Sequence, residues 1–167
     1  MISPFSRHDL AVLFVCRANV CRSPMAEGLL RAELKRLGLQ RKVKIDSAGT
    51  HASQPGRPAD QRAVKACLLA GVDIRRIRAR QVSGDDFHRF DLIVALDEKN
   101  YDWLLEASPG DCVARISRLG AWSGDEPYRD IPDPYFGSPE GFKETLQLIQ
   151  RAVFGLRDHI VSQIDPL

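Results

Sequence analysis

The sequence holds no apolar stretch long enough to cross a bilayer, a span that takes about 20 predominantly apolar residues, and no membrane insertion is expected. Nor does residues 1–10 contain the apolar block of a secretory signal. That stretch carries Pro4 and the Arg7-His8-Asp9 trio and reads as a short overhang before the first strand. Cysteine is scarce, with four in 167 residues: Cys16, Cys21, Cys67 and Cys112. They form no CxxC pair and no Cys/His grouping at zinc spacing, so no structural metal is expected. A chain of this kind is expected in the cytoplasm, where thiols stay reduced and a disulfide framework is out of place. An excess of one charge is missing too. Lys plus Arg number 24 against 22 Asp plus Glu, and a net charge of +2 makes no case for nucleic acid. The basic cluster Arg75-Arg76-Ile77-Arg78-Ala79-Arg80 reads mainly as solvated surface, with steering of an anionic substrate as the alternative. Repeats, low-complexity tracts and interdomain linkers are also absent, which leaves one domain over residues 1–167.

What is present is ordinary globular material, 44% hydrophobic and 28% charged, enough to bury a core. Ala11 to Val15 is an unbroken apolar run, the pattern of a central parallel strand buried on both faces. Ser23 and Pro24 read as a helix start with a capping hydroxyl. Met25, Leu29, Leu30, Leu34 and Leu37 continue at helical spacing to a stop at Gly38. Further strands are predicted at Val43–Ile45, Leu92–Leu96 and Val113–Ile116, and helices at Ala63–Ala70 and Tyr101–Glu106. A last helix presents Phe142, Leu146, Ile149, Val153 and Ile160 on one face. Loops are predicted at residues 53–58 and 123–139; the second is long enough to suggest a function. Strands alternating with helices predict an α/β domain with a mostly parallel sheet.

The chemistry is concentrated in Cys16-Arg17-Ala18-Asn19-Val20-Cys21-Arg22-Ser23-Pro24, between the buried strand and the helix start. Backbone N–H groups in such a turn, with the helix end behind them, make a cradle for a dianionic phosphate. Arg22 offers a planar fork to two phosphate oxygens. Cys16 lies at the floor of the same cradle, where helix end and guanidinium favour its thiolate, and Ser23 is placed to donate a hydrogen bond to the sulfur. The loop lacks glycine and lacks Gly-Lys-[Ser/Thr], which excludes a Walker-type nucleotide site. Asp133, stiffened between Pro132 and Pro134, is the candidate proton donor to a departing phenolate, and the charge of a bound phosphate favours the protonated acid that this role needs. Asp125 and Asp130 remain as fallback acids.

Val15-Cys16-x-x-Asn19-x-Cys21-Arg22-Ser23-Pro24 resembles the signature of low-molecular-weight protein-tyrosine phosphatases. Asp46-Ser47-Ala48-Gly49-Thr50, Ala79-Arg80-Gln81, Phe90-Asp91-Leu92-Ile93 and Asp133-Pro134-Tyr135 fit the same family in order, so the resemblance covers roughly residues 11 to 163. It implies a single-domain α/β fold with a central four-stranded parallel sheet flanked by helices on both faces, and neither metal nor organic cofactor. It implies attack by Cys16 to give a phosphocysteine and acid/base work by Asp133. Arg17, Ala18, Asn19, Val20, Cys21 and Ser23 would complete the phosphate-binding loop. Asn19 would be held through Ser23 and Ser47, and Tyr135, Phe136 and Ser53 would form the substrate wall. Cys21 would be the thiol that traps an oxidised Cys16. The implied substrate is a tyrosine-phosphorylated protein, for bacterial relatives a tyrosine kinase, with inorganic phosphate as product.

The sequence departs from the family pattern at Ala18, where glycine is usual, and at residues 50–56, where no aromatic residue stands. At Arg76 some relatives carry a histidine of the serine network. Phe136 replaces the second tyrosine of a pair, which leaves Tyr135 as the sole candidate for phosphorylation there. Three rival readings remain: a thiol-dependent arsenate reductase, a protein-arginine phosphatase, and a phosphoprotein-binding module without turnover. The first needs two nearby relay cysteines, whereas Cys67 and Cys112 are far apart in sequence; the second is associated with Thr where this chain has Val20.

Overall fold

The computed structural model describes residues 8–125 and 129–164. Most of the predicted overhang and residues 126–128 of the predicted long loop lie outside the described residues. β1 (Leu10–Cys16), β2 (Val43–Gly49), β3 (Leu92–Ala95) and β4 (Arg115–Arg118) form one sheet in the order β2-β1-β3-β4. All three pairings are parallel, and Cys16 at the end of β1 stands opposite Gly49 at the end of β2. The helices are α1 (Arg22–Arg36), α2 (Gln61–Leu69), α3 (Asp86–Arg89), α4 (Glu98–Ala107) and α5 (Pro139–Ile164), with a 3-10 turn at Leu119–Trp122.

The period-two alternation of β1 divides the core. Val12, Phe14 and Cys16 point to the face covered by α1, α2 and α5, meeting Met25, Leu30, Cys67, Phe142 and Ile149. Ala11, Leu13 and Val15 point to the opposite face and pack with Phe87 from α3, Leu104 from α4 and Phe90. Each large apolar side chain fully buried in this way contributes about 1.5–3 kcal/mol. Helices therefore cover both faces of the sheet, as predicted.

The strand order reverses around β1: the chain steps to β2 on one side, then returns to β3 on the other. The carboxyl ends of strands at such a reversal are where open α/β sheets place their ligands. Both Cys16 and the segment after β3 lie at that end.

Besides shifted element ends, the sheet and helices differ from the prediction at β4 and α3. β4 runs over Arg115–Arg118 rather than 113–116; Val113 is 69% exposed and its N–H donates to the Phe87 carbonyl, outside the sheet. As an edge strand β4 carries little apolar signal, and its register is set by pairing with β3. The single turn of α3 falls between predicted elements, too short to leave a periodic pattern.

Candidate active site

The loop from Cys16 to α1 is tied down along its length. Thr50 and His51 donate their backbone N–H groups to the carbonyls of Cys16 and Arg17 at 2.9 and 2.8 Å, and Asp60 donates to Val20 at 2.8 Å. Gly49 lies so close that a Cβ there would stand 2.6 Å from the Arg17 carbonyl oxygen, so only glycine lets β2 support the loop. Asn19 takes a left-handed conformation with φ of 59°, the only non-glycine to do so among the described residues. Asparagine tolerates this region better than most residues. Ala18, the departure from the usual glycine, does not adopt positive φ, so the alanine side chain brings no backbone strain there.

Hydrogen bonds run from Asn19 to the sulfur. Asn19 Nδ2 donates to Ser23 Oγ at 2.8 Å and to Ser47 Oγ at 2.9 Å, and its Oδ1 accepts from the Arg80 backbone N–H at 2.9 Å. Because Ser23 Oγ accepts from Asn19, its own proton is free for Cys16 Sγ, 2.9 Å away. Ser23 is therefore not the predicted helix cap. α1 begins at Arg22, and Cys21 at the cap position makes no side-chain cap hydrogen bond. The amides of the first turn are left without a side-chain acceptor, a favourable setting for an anion.

The other arm of the network ends on a residue the sequence did not single out. Ser47 Oγ donates to Glu27 Oε1 at 2.7 Å, and Arg31 Nε donates to Glu27 Oε2 at 2.9 Å. Glu27 thus closes the network on the side where the sequence pointed to Arg76. Burial pushes its carboxyl above the ordinary range, against the opposing pull of Ser47 and Arg31. A raised value means that the folded protein holds this proton more firmly than the unfolded chain. The resulting stabilisation is fully present below the ordinary carboxylate range and is lost as pH rises through the raised value. Glu27→Gln lacks that dependence. It is expected to gain stability relative to the wild type between the acid side of the carboxylate range and neutral pH. Urea denaturation at the two ends of this window measures the difference, and a constant gap would contradict the assignment.

Arg22 is 3% exposed and is aimed by two groups the sequence also left unnamed. Its Nη1 donates to Asp97 Oδ2 at 2.6 Å and to the Ile131 carbonyl at 3.0 Å. Asp97 follows β3 and caps α4, its Oδ1 accepting from the Asn100 N–H. Burial opposes the guanidinium charge, but Cys16, Asp97 and Asp133 outweigh it and hold the pKa above the ordinary arginine value. Ile131 also anchors the long loop, its N–H donating to the Leu96 carbonyl at 3.1 Å. Two residues on, Asp133 Oδ2 lies 3.5 Å from Arg22 Nη2, and Asp133 Oδ1 accepts from the Tyr135 N–H.

Cys16, Arg22 and Asp133 share a cavity of about 210 Å3. That is smaller than the 300–1,000 Å3 of pockets that enclose a whole drug-sized ligand, and suits one protruding side-chain group. Cys16, Arg17, Ala18, Val20, Cys21 and Arg22 line it from the loop, and Asp133, Tyr135, Phe136 and Ser53 from its rim. Arg57 joins them, unforeseen because a single cation in a Pro/Gly loop carries no pattern. Tyr135 and Phe136 meet edge to face with centroids 5.0 Å apart, and Phe136 is 96% exposed. Asp125 is paired with Arg151, and Asp130 with Arg118 and the Glu98 N–H; neither lines the cavity. The Arg75–Arg80 cluster is largely engaged, Arg75 with Asp73 and Arg80 with Asp46 and Asp86. Cys21 is a free thiol pushed upward by burial and by nearby Asp60, Cys16 and Asp133, which keeps it protonated.

Residues 11–164 match the family model described as low molecular weight phosphotyrosine protein phosphatase. The chain belongs to this family. Among the phosphatases it resembles is YfkJ of Bacillus subtilis, 37% identical over 141 residues that cover 84% of this chain and 89% of the relative. The crystal structure of YfkJ superposes with a TM-score of 0.85 at 35% identity, covering 93% of this chain and 96% of the other. The protein tyrosine phosphatase of Entamoeba histolytica, with Hepes in its active site, gives a TM-score of 0.84 at 33% identity, with coverage of 92% and 96%. Wzb of Vibrio vulnificus in complex with benzylphosphonate gives 0.79 at 27% identity, with coverage of 90% and 99%. The low-molecular-weight phosphatases thus account for the whole sheet and for the helices on both of its faces. No helix among the described residues is long and apolar enough to cross a membrane.

Proposed function

We propose that the chain hydrolyses phosphotyrosine in proteins through a phosphocysteine, with Cys16 as nucleophile, Arg22 as phosphate clamp and Asp133 as general acid and base. The observation that carries this reading is the convergence of Cys16, Arg22 and Asp133 on one cavity, with the Ser23 hydroxyl 2.9 Å from the sulfur. Arg22 spends Nη1 on Asp97 and Ile131, so its Nε and Nη2 edge is the fork left for two phosphate oxygens. The loop amides from Arg17 to Arg22 receive the remaining oxygens. The Cys16 thiolate attacks phosphorus and the P–O bond to the phenol breaks as Asp133 protonates the leaving oxygen. Asp133, now ionised, takes a proton from water, which attacks the phosphocysteine, releases inorganic phosphate and restores Cys16. The Ser23 hydroxyl steadies the sulfur as it leaves. Tyr135, Phe136 and Ser53 flank the phenyl ring. In the same reading Cys21 is the thiol with which an oxidised Cys16 condenses.

The substrate is a tyrosine-phosphorylated protein in the cytoplasm, and a bacterial tyrosine kinase is the candidate that the family resemblance implies. Arsenate reduction is disfavoured by the placement of its would-be relay, since Cys67 and Cys112 belong to the cores on opposite faces of the sheet. Val20, an apolar residue lining the cavity, argues for phosphotyrosine over phosphoarginine.

Leaving groups provide the test. General acid catalysis is worth about 10²–10⁴-fold. Asp133→Asn is expected to lose that factor in kcat on phosphotyrosine peptides, and far less on aryl phosphates whose phenolate departs without a proton. Steady-state kinetics across a series of leaving groups measures this; equal losses on both would remove Asp133 from its role.

A further inference from the structure

Beside the catalytic cavity a second recess runs between α2 and α5, with a volume of about 590 Å3. Arg62, Lys65 and Leu69 of α2 face Pro139, Lys143 and Leu146 of α5 across it. The spacings follow single helix faces, so the groove has the length of two helical turns, about 11 Å. Its floor is apolar, and Leu69 stands 82% exposed at its far end. Its rim is cationic: Lys65 and Lys143 are exposed, and neither has a carboxylate within salt-bridge distance among the described residues, while Glu140 is the acidic residue lining the groove.

Arg62 joins this groove to the active site. Its guanidinium is held by Asp60 at 3.0 Å and lies 4.5 Å from the Phe142 ring centroid and 5.5 Å from that of Tyr135. Tyr135 lines the catalytic cavity, and Pro139 opens α5 three residues after Phe136. A chain that leaves the cavity past Tyr135 therefore enters the groove at Arg62.

We propose that the α2–α5 groove docks a second segment of the phosphoprotein substrate, one that carries an apolar side chain flanked by acidic residues. The inference rests on the phosphatase reading and extends it to substrate choice. The apolar side chain lies against Leu69 and Leu146, and the acidic residues meet Lys65 and Lys143. At about 3.3 Å per extended residue, a groove of about 11 Å takes a segment of about three residues, a few residues along the chain from the phosphotyrosine. Charges at the rim of such a contact act mainly on encounter and on KM, leaving the chemical step alone.

The test uses three phosphotyrosine peptides of equal length: one with a Glu-Leu-Glu stretch in that window on the C-terminal side, one with it on the N-terminal side, and one with Gly and Ser instead. With the wild type, one of the two acidic peptides is expected to show KM about tenfold below the neutral peptide, at similar kcat. The K65E/K143E double variant should erase that advantage, while its kcat/KM for para-nitrophenyl phosphate stays at the wild-type value. Equal KM for the three peptides would overturn the proposal, as would an advantage that survives in the double variant. So would a Leu69→Asp variant that changes the sedimentation of the protein without changing peptide KM, because the groove would then be occupied by a second copy of the chain. Failure of the catalytic reading looks different: the wild type would leave para-nitrophenyl phosphate intact. Peptide binding to the Cys16→Ser protein, followed by fluorescence anisotropy, would then still decide the fate of the groove.

Discussion

Cys16→Ser is expected to abolish turnover, with kcat on any aryl phosphate down by about 10⁴ or more, while the protein remains folded. The oxygen that replaces sulfur is a far poorer nucleophile, because a serine hydroxyl keeps its proton and Asp133, in the proposed mechanism, enters the first step already protonated. The hydrogen-bond partner of that position is Ser23, whose hydroxyl is far too weak a base to take the proton. Folding survives because a hydroxyl at the Cys16 position still finds the Ser23 hydroxyl as a partner, and the surrounding loop is held by backbone bonds that the substitution leaves alone. Phosphate burst measurements and thermal unfolding, run on the same preparation, separate loss of chemistry from loss of fold. Residual turnover within tenfold of the wild type would remove Cys16 from its role.

Arg22→Lys carries the second largest effect, an expected fall of about 10³ in kcat/KM. A guanidinium can hold Asp97 and the Ile131 carbonyl with one nitrogen while keeping its Nε edge for phosphate. An ammonium is a single point of charge at the end of a flexible stem, and Asp97 would claim it. The loss should fall on kcat as well as on KM, because the fork is worth most as charge develops on the equatorial oxygens. Steady-state kinetics with phosphotyrosine peptide checks it; a variant with unchanged kcat and a higher KM would assign Arg22 to ground-state binding alone.

The legible parts of the site are those in which chemistry and local pattern coincide. The apolar run before Cys16, the Ser-Pro pair after Arg22 and the prolines around Asp133 each restrict the local backbone, and the resemblance links the segments. Glu27 left no such mark. An acid four residues before Arg31 reads as an ordinary exposed helix pair, yet residues 22–30 of α1 are buried on every side, and that burial comes from β2, α2 and α5 far away in sequence. Asp97 caps α4, a helix predicted to begin only at Tyr101, and the sequence contains nothing to say that its second oxygen faces Arg22 across 75 positions. Arg57 and the groove between α2 and α5 exist only once the helices are packed. The shift of β4 has the same origin, since an edge strand takes its register from its neighbour.

Gly49, with the backbone bonds from Thr50, His51 and Asp60, shapes the Cys16 loop during folding, before any ligand arrives. The entropy of ordering those residues is settled at that stage, so none of it is charged to an incoming ion. A receptor rigid in advance gives even a small tetrahedral oxyanion nearly the full grip it gives an ester. In the proposed mechanism the released product is therefore expected to linger, so that added phosphate slows turnover.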